Sequence, residues 1–532
     1  MPETSNGSDV TSRPPGGAAG IVASGILLSR ITGFIRQSII AHFFGTSAVA
    51  DALTAGLRIP NFLQNLLGEG VLSASFIPVY SKMLGENDED ADLLAWAVGA
   101  VLAVIVAILV ALGVTFTPHL IDLIAPGFAD EKRQLTIAIV RILFPGTGIL
   151  VMSAWCLGVL NSHHRFFASY IAPVFANLVV IAALLWYGPY RTQDALAIDV
   201  AWATVVGACV QFLVQLPQVL ALMSRWEIHF RRIATPLWTV FRNLTAVVGT
   251  KGVAQFSAYV DQLLASLLPT GAVAAINFGQ ILYILPVSLF GASVAASELP
   301  TMSRASGTVE EISATLRTRL DAGLRQIAFL IVPSAAGFIF LGDVIAAFVY
   351  QSGHFTHGDA VYLWAVLAGS GVGLLATTMV QLYNNAFYSL LDTRTPLRFA
   401  ILRVSLTLTL GYLFAIPLPP ALGIPQRWGV AGLTASAGIS GWLEFTLLRS
   451  RLNRRIGKTG LHHTLVVKLW SIAILAGLIG FALKLATAGF GPRPQALIVL
   501  PVYGAVYLGA ARMLRLPEFD AFVAMIRRRF SR

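Results

Sequence analysis

Asp51, Arg58, Asn65 and Glu69 are charged or strongly polar, and they recur at a spacing that can do chemistry. All four lie in "DALTAGLRIPNFLQNLLGEG", a stretch long enough to cross a bilayer. At 100° per residue, Arg58 falls about 20° from the direction of Asp51, Asn65 falls about 40° from it, and Glu69 returns to it. At 1.5 Å per residue they form a stripe about 27 Å long. Facing lipid, each charge would cost on the order of 3 kcal/mol, so the stripe must face protein or a hydrated cavity. Just upstream, "SRITGFIRQS" sets Arg30 and Arg36 about 9 Å apart along one span, too far for both to snorkel equally well to one interface. Two chemistries suit these residues. One is internal pairing, Arg36 with Asp51 and Arg58 with Glu69. The other is recognition of an anionic substrate, which the excess of Arg over carboxylate favours. The planar guanidinium fork donates two parallel hydrogen bonds to phosphate oxygens.

The elements that carry these residues are apolar. Of 532 residues 56% are hydrophobic and 12% charged, against roughly 25% charged in soluble domains, and the mean hydropathy is +0.74. Apolar runs of bilayer length recur throughout, so the chain is an all-α polytopic membrane protein with about fourteen spans. The net charge of +11 does not mark a nucleic-acid binder, because Arg and Lys cluster in short connections beside the spans. Their asymmetry places both termini in the cytoplasm. Residues 45–82 resemble 271–304, with Gly45, Pro60, Pro78 and Lys82 matching Gly271, Pro286, Pro300 and Arg304. Such a duplication of six spans predicts two lobes with a cavity between them. The expected division is a disordered tail at 1–17, an N-lobe at 18–224, a C-lobe at 237–450, two further spans at 464–514 and a basic tail at 515–532.

Other polar groups give weaker signals. Lys251, Asp261, Glu298 and Arg403 fall inside spans, and Asp261 could hold a coupling cation, a proton or an ion-pair partner. Glu444 reads as interfacial and solvated, and so do His163 and His164 in their short loop. Cys156 and Cys209 offer no disulfide framework, and no His–carboxylate cluster has metal-ligand spacing.

Several longer motifs carry a resemblance: "SRITGFIRQSIIAHFFGTSAVADAL", "RIPNFLQNLLGEGVLSASFIPVYSK", "APGF" at 125–128, "RILFP" at 141–145, "FVYQSGHF" at 348–355 and "AFYSLLDTRTPL" at 386–397. Over about 20–515 the chain resembles the MurJ (MviN) lipid II flippases of the multidrug/oligosaccharidyl-lipid/polysaccharide exporter superfamily. The resemblance implies two six-helix lobes (spans 1–6 and 7–12) around a central cavity, with two C-terminal helices forming a groove for a lipid tail. It implies transport of undecaprenyl-pyrophosphate-linked peptidoglycan precursor to the outer leaflet of the bacterial cytoplasmic membrane, without a catalytic residue. The implied substrate-binding residues are Arg30, Arg36, Asp51, Arg58 and Glu69, beside Asn65 on the same stripe. No cofactor is implied. A monovalent cation at Asp261 and Thr407, or the membrane potential, could supply coupling. The implied partners are lipid II or a similar polyprenyl-pyrophosphate glycan, the lipid bilayer and proteins of cell-wall synthesis, with no nucleic acid.

The chain departs from the family pattern in three places. Gln64 stands where many members carry Arg, Gln280-Ile281 where an acidic–Arg pair is expected, and Gly411 where a polar cation ligand is expected. Flipping of another polyprenyl-linked glycan is therefore a second reading. Cation-coupled drug export is a third, disfavoured by three Arg in the first two spans. An intramembrane enzyme acting on polyprenyl phosphates is the fourth, disfavoured by outer connections too short to hold a catalytic layer.

Overall fold

The computed structural model describes residues 16–223, 232–304 and 307–530, the side chains of 16–23, 69, 246–247, 249–258, 309, 525–526 and 528–530 excepted. Helices account for almost all of it, and no strand occurs among the described residues. The first half holds α1 (Gly16–Phe44), α2 (Ala48–Leu67), the short α3 (Glu69–Ser75) and α4 (Ile77–Leu84), α5 (Asp88–Ile124), α6 (Asp130–Ser162), α7 (Phe166–Tyr187) and α8 (Gln193–Leu222). The second half holds α9 (Ala234–Ser266), α10 (Ala272–Pro286), α11 (Ser293–Ser303), α12 (Val309–Tyr350), α13 (His357–Ser389), α14 (Arg394–Ala415), the single turn α15 (Leu418–Ala421) and α16 (Gly429–Ile456). The chain closes with α17 (His463–Ala486), α18 (Pro492–Met513) and α19 (Pro517–Phe530). Ten helical segments among the described residues are long and apolar enough to cross a membrane. The other four expected spans coincide with α1, α2, α9 and α16, whose composition alone does not mark them as crossings.

The duplication is visible in the backbone. Gly45 and Gly271 both take left-handed conformations, φ +57° and +93°, at the turns that open α2 and α10. That region is strained for any residue with a Cβ. Both copies are also interrupted beyond the matched proline. α2 ends at Leu67, Gly68 turns to an extended conformation, and α3 starts at Glu69. After Pro286 a π-helical turn covers Val287–Ala292 before α11 resumes. Proline supplies no N–H to the ladder, which loosens the following register. The helix expected to run straight from Asp51 to Glu69 is therefore broken at Gly68.

The chain packs as two compact units that are not successive halves of the sequence. The first comprises Met1–Gln37, Gly56–Thr117 and Ala138–Gln255. Its core joins Phe76 and Tyr80 to Leu94, Val98 and Trp155, whose indole N–H donates to the Ala95 carbonyl at 3.1 Å. His163, expected to be solvated, bonds instead through its ring Nε2 to the Tyr80 hydroxyl at 2.9 Å. Burial lowers its imidazole below the ordinary value, against the opposing charges of Asp92 and Asp88.

The second unit comprises Ser38–Ala55, Pro118–Ile137 and Phe256–Arg532. In it α13 packs on α12 and α16, α14 on α16, and the α17–α18 hairpin on α12. One detail shows how that hairpin is held. Pro333 has no N–H to offer the Phe329 carbonyl one turn back in α12. The Tyr507 hydroxyl of α18 donates to that carbonyl at 2.8 Å, and Tyr503 donates to the Pro333 carbonyl at 2.5 Å. A buried Asp343–Lys484 ion pair joins α12 to α17.

Candidate functional site

In the first unit, α1 and α2 bring Arg30 and Gln64 to the wall of a cavity of about 350 Å³, with Ser153 of α6, Tyr170 of α7 and Gln211 of α8. The Gln211 amide donates to Ser153 Oγ at 3.0 Å, and Ser153 donates to Gln215 Oε1 at 2.7 Å. The wall thus offers one guanidinium among neutral amides and hydroxyls, which suits phosphate and sugar oxygens together. Ser153, Gln211 and Gln215 are not legible as site residues in the sequence, because isolated polar residues in apolar spans give no periodic signal.

Arg36, two turns beyond Arg30 on α1, is half-buried. Its Nε is shielded from water and has no hydrogen-bond partner among the described residues. A buried donor left unpaired costs about 1–3 kcal/mol. Arg58 is half-buried and Asn65 exposed on α2, and both have partners. The Glu69 side chain lies outside the described residues.

Asp51 is not among the residues that line that cavity. It belongs to the second unit, and its carboxylate is 1% exposed. Lys132 Nζ of α6 lies 2.6 Å from Oδ2. The backbone N–H of Gly271 donates to Oδ2 and that of Ala274 to Oδ1, each at 2.8 Å. The carboxylate therefore caps the N-terminus of α10, where exposed N–H groups and the helix dipole favour an anion. The expected Arg36–Asp51 pair is replaced by this arrangement. Neither Lys132 nor Gly271 could be paired with Asp51 from sequence, since they lie 81 and 220 positions away.

Further contacts gather at this end of the second unit, from helix ends and the turns between them. Thr46 donates to Asp359, the residue that completes the Thr356 capping box of α13. His42 pairs with Ser352 at 3.0 Å, and the His354 N–H donates to the His42 carbonyl at 2.8 Å. Gly127 of the "APGF" turn donates to Ser266 Oγ at 3.3 Å, and Lys132 sits 4.1 Å over the Phe128 ring. The motifs "GTSAVADAL", "APGF" and "FVYQSGHF" thus meet in one interlocked seal around Asp51.

A second polar cavity, about 210 Å³, lies within the second unit and is lined by Asp261, Gln280, Tyr283, Thr377, Arg403 and Thr434. Arg403 Nε is 3.1 Å from Glu444 Oε2. Glu444, expected to be solvated, is instead 4% exposed. Thr407 is half-buried and does not line the cavity. A Cβ on Gly411 would approach Leu264 and Leu433 to 2.8 and 2.9 Å, so no side chain fits there unless they move. Of the residues expected to hold a coupling cation, Asp261 lines this cavity, whereas 407 and 411 contribute no ligand to it. No group of three or more metal ligands occurs among the described residues.

An apolar groove of about 400 Å³ runs between α10, α12 and α18, lined by Leu282, Leu289, Phe329, Phe338, Leu500 and Leu508 among others. Its lining is mostly aliphatic and aromatic, with Ser334, Tyr503 and Tyr507 as the polar exceptions.

The family model described as lipid II flippase MurJ matches residues 40–499. A probable lipid II flippase MurJ of Rhizobium meliloti is 31% identical over 477 residues, covering 87% of this chain and 85% of its own. A lipid II flippase MurJ of Burkholderia cenocepacia is 30% identical over 501 residues, covering 91% and 94%. A solved lipid II flippase MurJ in an inward closed conformation superposes with a TM-score of 0.72 at 21% identity, over 93% of this chain and 98% of that one. An inward-facing MATE family multidrug transporter of the MOP superfamily reaches 0.63 at 17% identity, over 82% and 98%. These two support the fold alone, whereas the family match spans most of the sequence. The chain belongs to the lipid II flippase MurJ family.

Proposed function

We propose that this protein is a lipid II flippase of the bacterial cytoplasmic membrane, with both termini in the cytoplasm. It moves the undecaprenyl-pyrophosphate-linked precursor from the inner to the outer leaflet by alternating access. The observation that carries the reading is the polar cavity of the first unit, where Arg30 is the single cation among neutral hydrogen-bonding groups. Arg30 and Arg36 receive the pyrophosphate, and Gln64, Tyr170 and Gln211 receive hydroxyl and amide groups of the headgroup. Arg58 supports this face of α2. The prenyl tail stays in lipid or in the groove between α10, α12 and α18. Asp51 acts away from the substrate, closing the outward side through Lys132 and the N-terminus of α10. Release to the outer leaflet requires that seal to open. An inside-negative potential favours outward movement of an anion by about 2.3 kcal/mol per charge per 100 mV, so no cation step is needed for direction.

The test is complementation of cells depleted of their own lipid II flippase. Arg30→Ala and Arg36→Ala should insert normally and fail to support lipid II exposure. A second reading, transport of another polyprenyl-linked glycan, is supported by Gln64, which leaves the first unit's cavity one Arg short of the family pattern. Failure of the unaltered chain with lipid II, despite normal insertion, would favour it.

A further inference from the structure

The apolar groove does not end in lipid on every side. Phe329 and Leu330, which line it, also line a separate pocket of about 410 Å³ together with Arg325, Gln326, Glu518 and Phe522. The two spaces therefore adjoin along α12, one apolar and one polar, with Phe329 and Leu330 between them. Their depth can be read from the helix. Arg325 is followed by no charged residue until Asp343, and 18 residues of helix span about 27 Å, close to a hydrocarbon thickness. Arg325 thus lies at one headgroup boundary, on the side where α18 runs into α19.

The polar pocket carries a fixed pair of opposite charges. Arg325 Nε is 2.7 Å from Glu518 Oε1, with the Arg side chain 51% exposed and the Glu side chain 7% exposed. This contact occupies Nε alone, and the terminal nitrogens of the fork have no partner among the described residues. The other carboxylate oxygen of Glu518 is shielded from water and has no donor among the described residues. A guanidinium with free donors beside a carboxylate with a free acceptor is complementary to a zwitterion.

We propose that this pocket binds a zwitterionic aminophospholipid of the inner leaflet. Its phosphate rests on Arg325, its ammonium group donates to Glu518, and one acyl chain lies along the groove past Phe329. The net neutrality of the Arg325–Glu518 pair separates this occupant from a polyprenyl pyrophosphate, whose several negative charges would meet Glu518 without compensation. The bound lipid ties the start of α19 to α12. The choice of leaflet rests on the proposed cytoplasmic termini, and the acyl chain takes the Phe329 end of the groove that the transport reading offers to the prenyl tail, whereas lipid retention by the purified protein is read without transport.

The test is native mass spectrometry of the full-length protein in detergent, incubated with phosphatidylethanolamine, phosphatidylglycerol or undecaprenyl pyrophosphate. The unaltered protein should retain phosphatidylethanolamine over phosphatidylglycerol by roughly tenfold, as expected for one added charge-assisted hydrogen bond. Glu518→Gln should abolish that preference, and Arg325→Gln should lose both lipids. Should either variant fold poorly, Ala521→Trp fills the pocket, leaves the ion pair in place and should also displace the lipid. Equal retention of both phospholipids by the unaltered protein would overturn the proposal. Retention unchanged in the variants, or preferential retention of undecaprenyl pyrophosphate at this pocket, would overturn it as well.

Discussion

At the residue scale, the chain separates two kinds of charge that look alike in a hydropathy plot. Arg30 faces a polar cavity and Arg36 keeps a buried donor unpaired, whereas Asp51 is fully committed to Lys132 and two backbone N–H groups. The first kind is available to a ligand and the second locks structure. A double-mutant cycle on Asp51→Ala and Lys132→Ala, read as thermal stability of the protein in lipid, should give a coupling of about 1–3 kcal/mol. Additive effects would remove the pair from the seal. The cost of placing charge inside a membrane is enough to single out Arg30, Arg36 and Asp51 in the amino-acid sequence. Their partners are not legible there. A helical wheel orders residues within one helix, and Asp51 is satisfied by α6 and by the turn before α10. The stripe fails beyond Leu67 for a different reason: it needs a continuous helix, and Gly68 interrupts it.

At the element scale, the spans are legible from length and apolarity, and the repeat from matched Gly and Pro positions. What the repeat encodes is clear only in the backbone, where Gly45 and Gly271 share a left-handed turn and each copy is interrupted after its proline. The attachment of the C-terminal hairpin is a case in which sequence supplies the problem and tertiary structure the solution. Pro333 orphans the Phe329 carbonyl, and Tyr507 satisfies it from another helix. Tyr507→Phe should therefore destabilise the protein by about 1–2 kcal/mol, measurable as a lowered melting temperature in detergent. An unchanged melting temperature would mean that the carbonyl finds another donor. Glu444 and His163 look solvated in the sequence for a related reason. Glu444 reads as the end of a span although α16 runs on to Ile456, and His163 follows the end of α6, yet each meets a partner from a distant segment, Arg403 and Tyr80.

At the scale of the whole molecule, the two compact units divide the first four spans between them. Ser38–Ala55 and Pro118–Ile137 pack with the second unit, and the seal around Asp51 lies entirely within it. Transport by alternating access requires these segments to part from α10 and α13 in each cycle. Cysteines at Thr46 and Asp359, whose side chains are hydrogen-bonded, should accept a short thiol crosslinker once Cys156 and Cys209 are replaced. The crosslinked protein should lose transport and regain it on release by reductant. Transport that survives quantitative crosslinking would show that the seal need not open. The broad architecture follows from a pattern of apolar runs, but the division of α1, α2, α5 and α6 between units does not. It depends on contacts between segments more than 300 positions apart, such as Thr46 with Asp359.

The most direct test of the central claim is lipid II accessible at the outer face of cells depleted of their own flippase and expressing this chain. Restored exposure with the unaltered protein, and its loss in Arg30→Ala at equal membrane abundance, is the expected result. Exposure that persists at the unaltered level in Arg30→Ala would contradict the assignment of the first unit's cavity to the pyrophosphate.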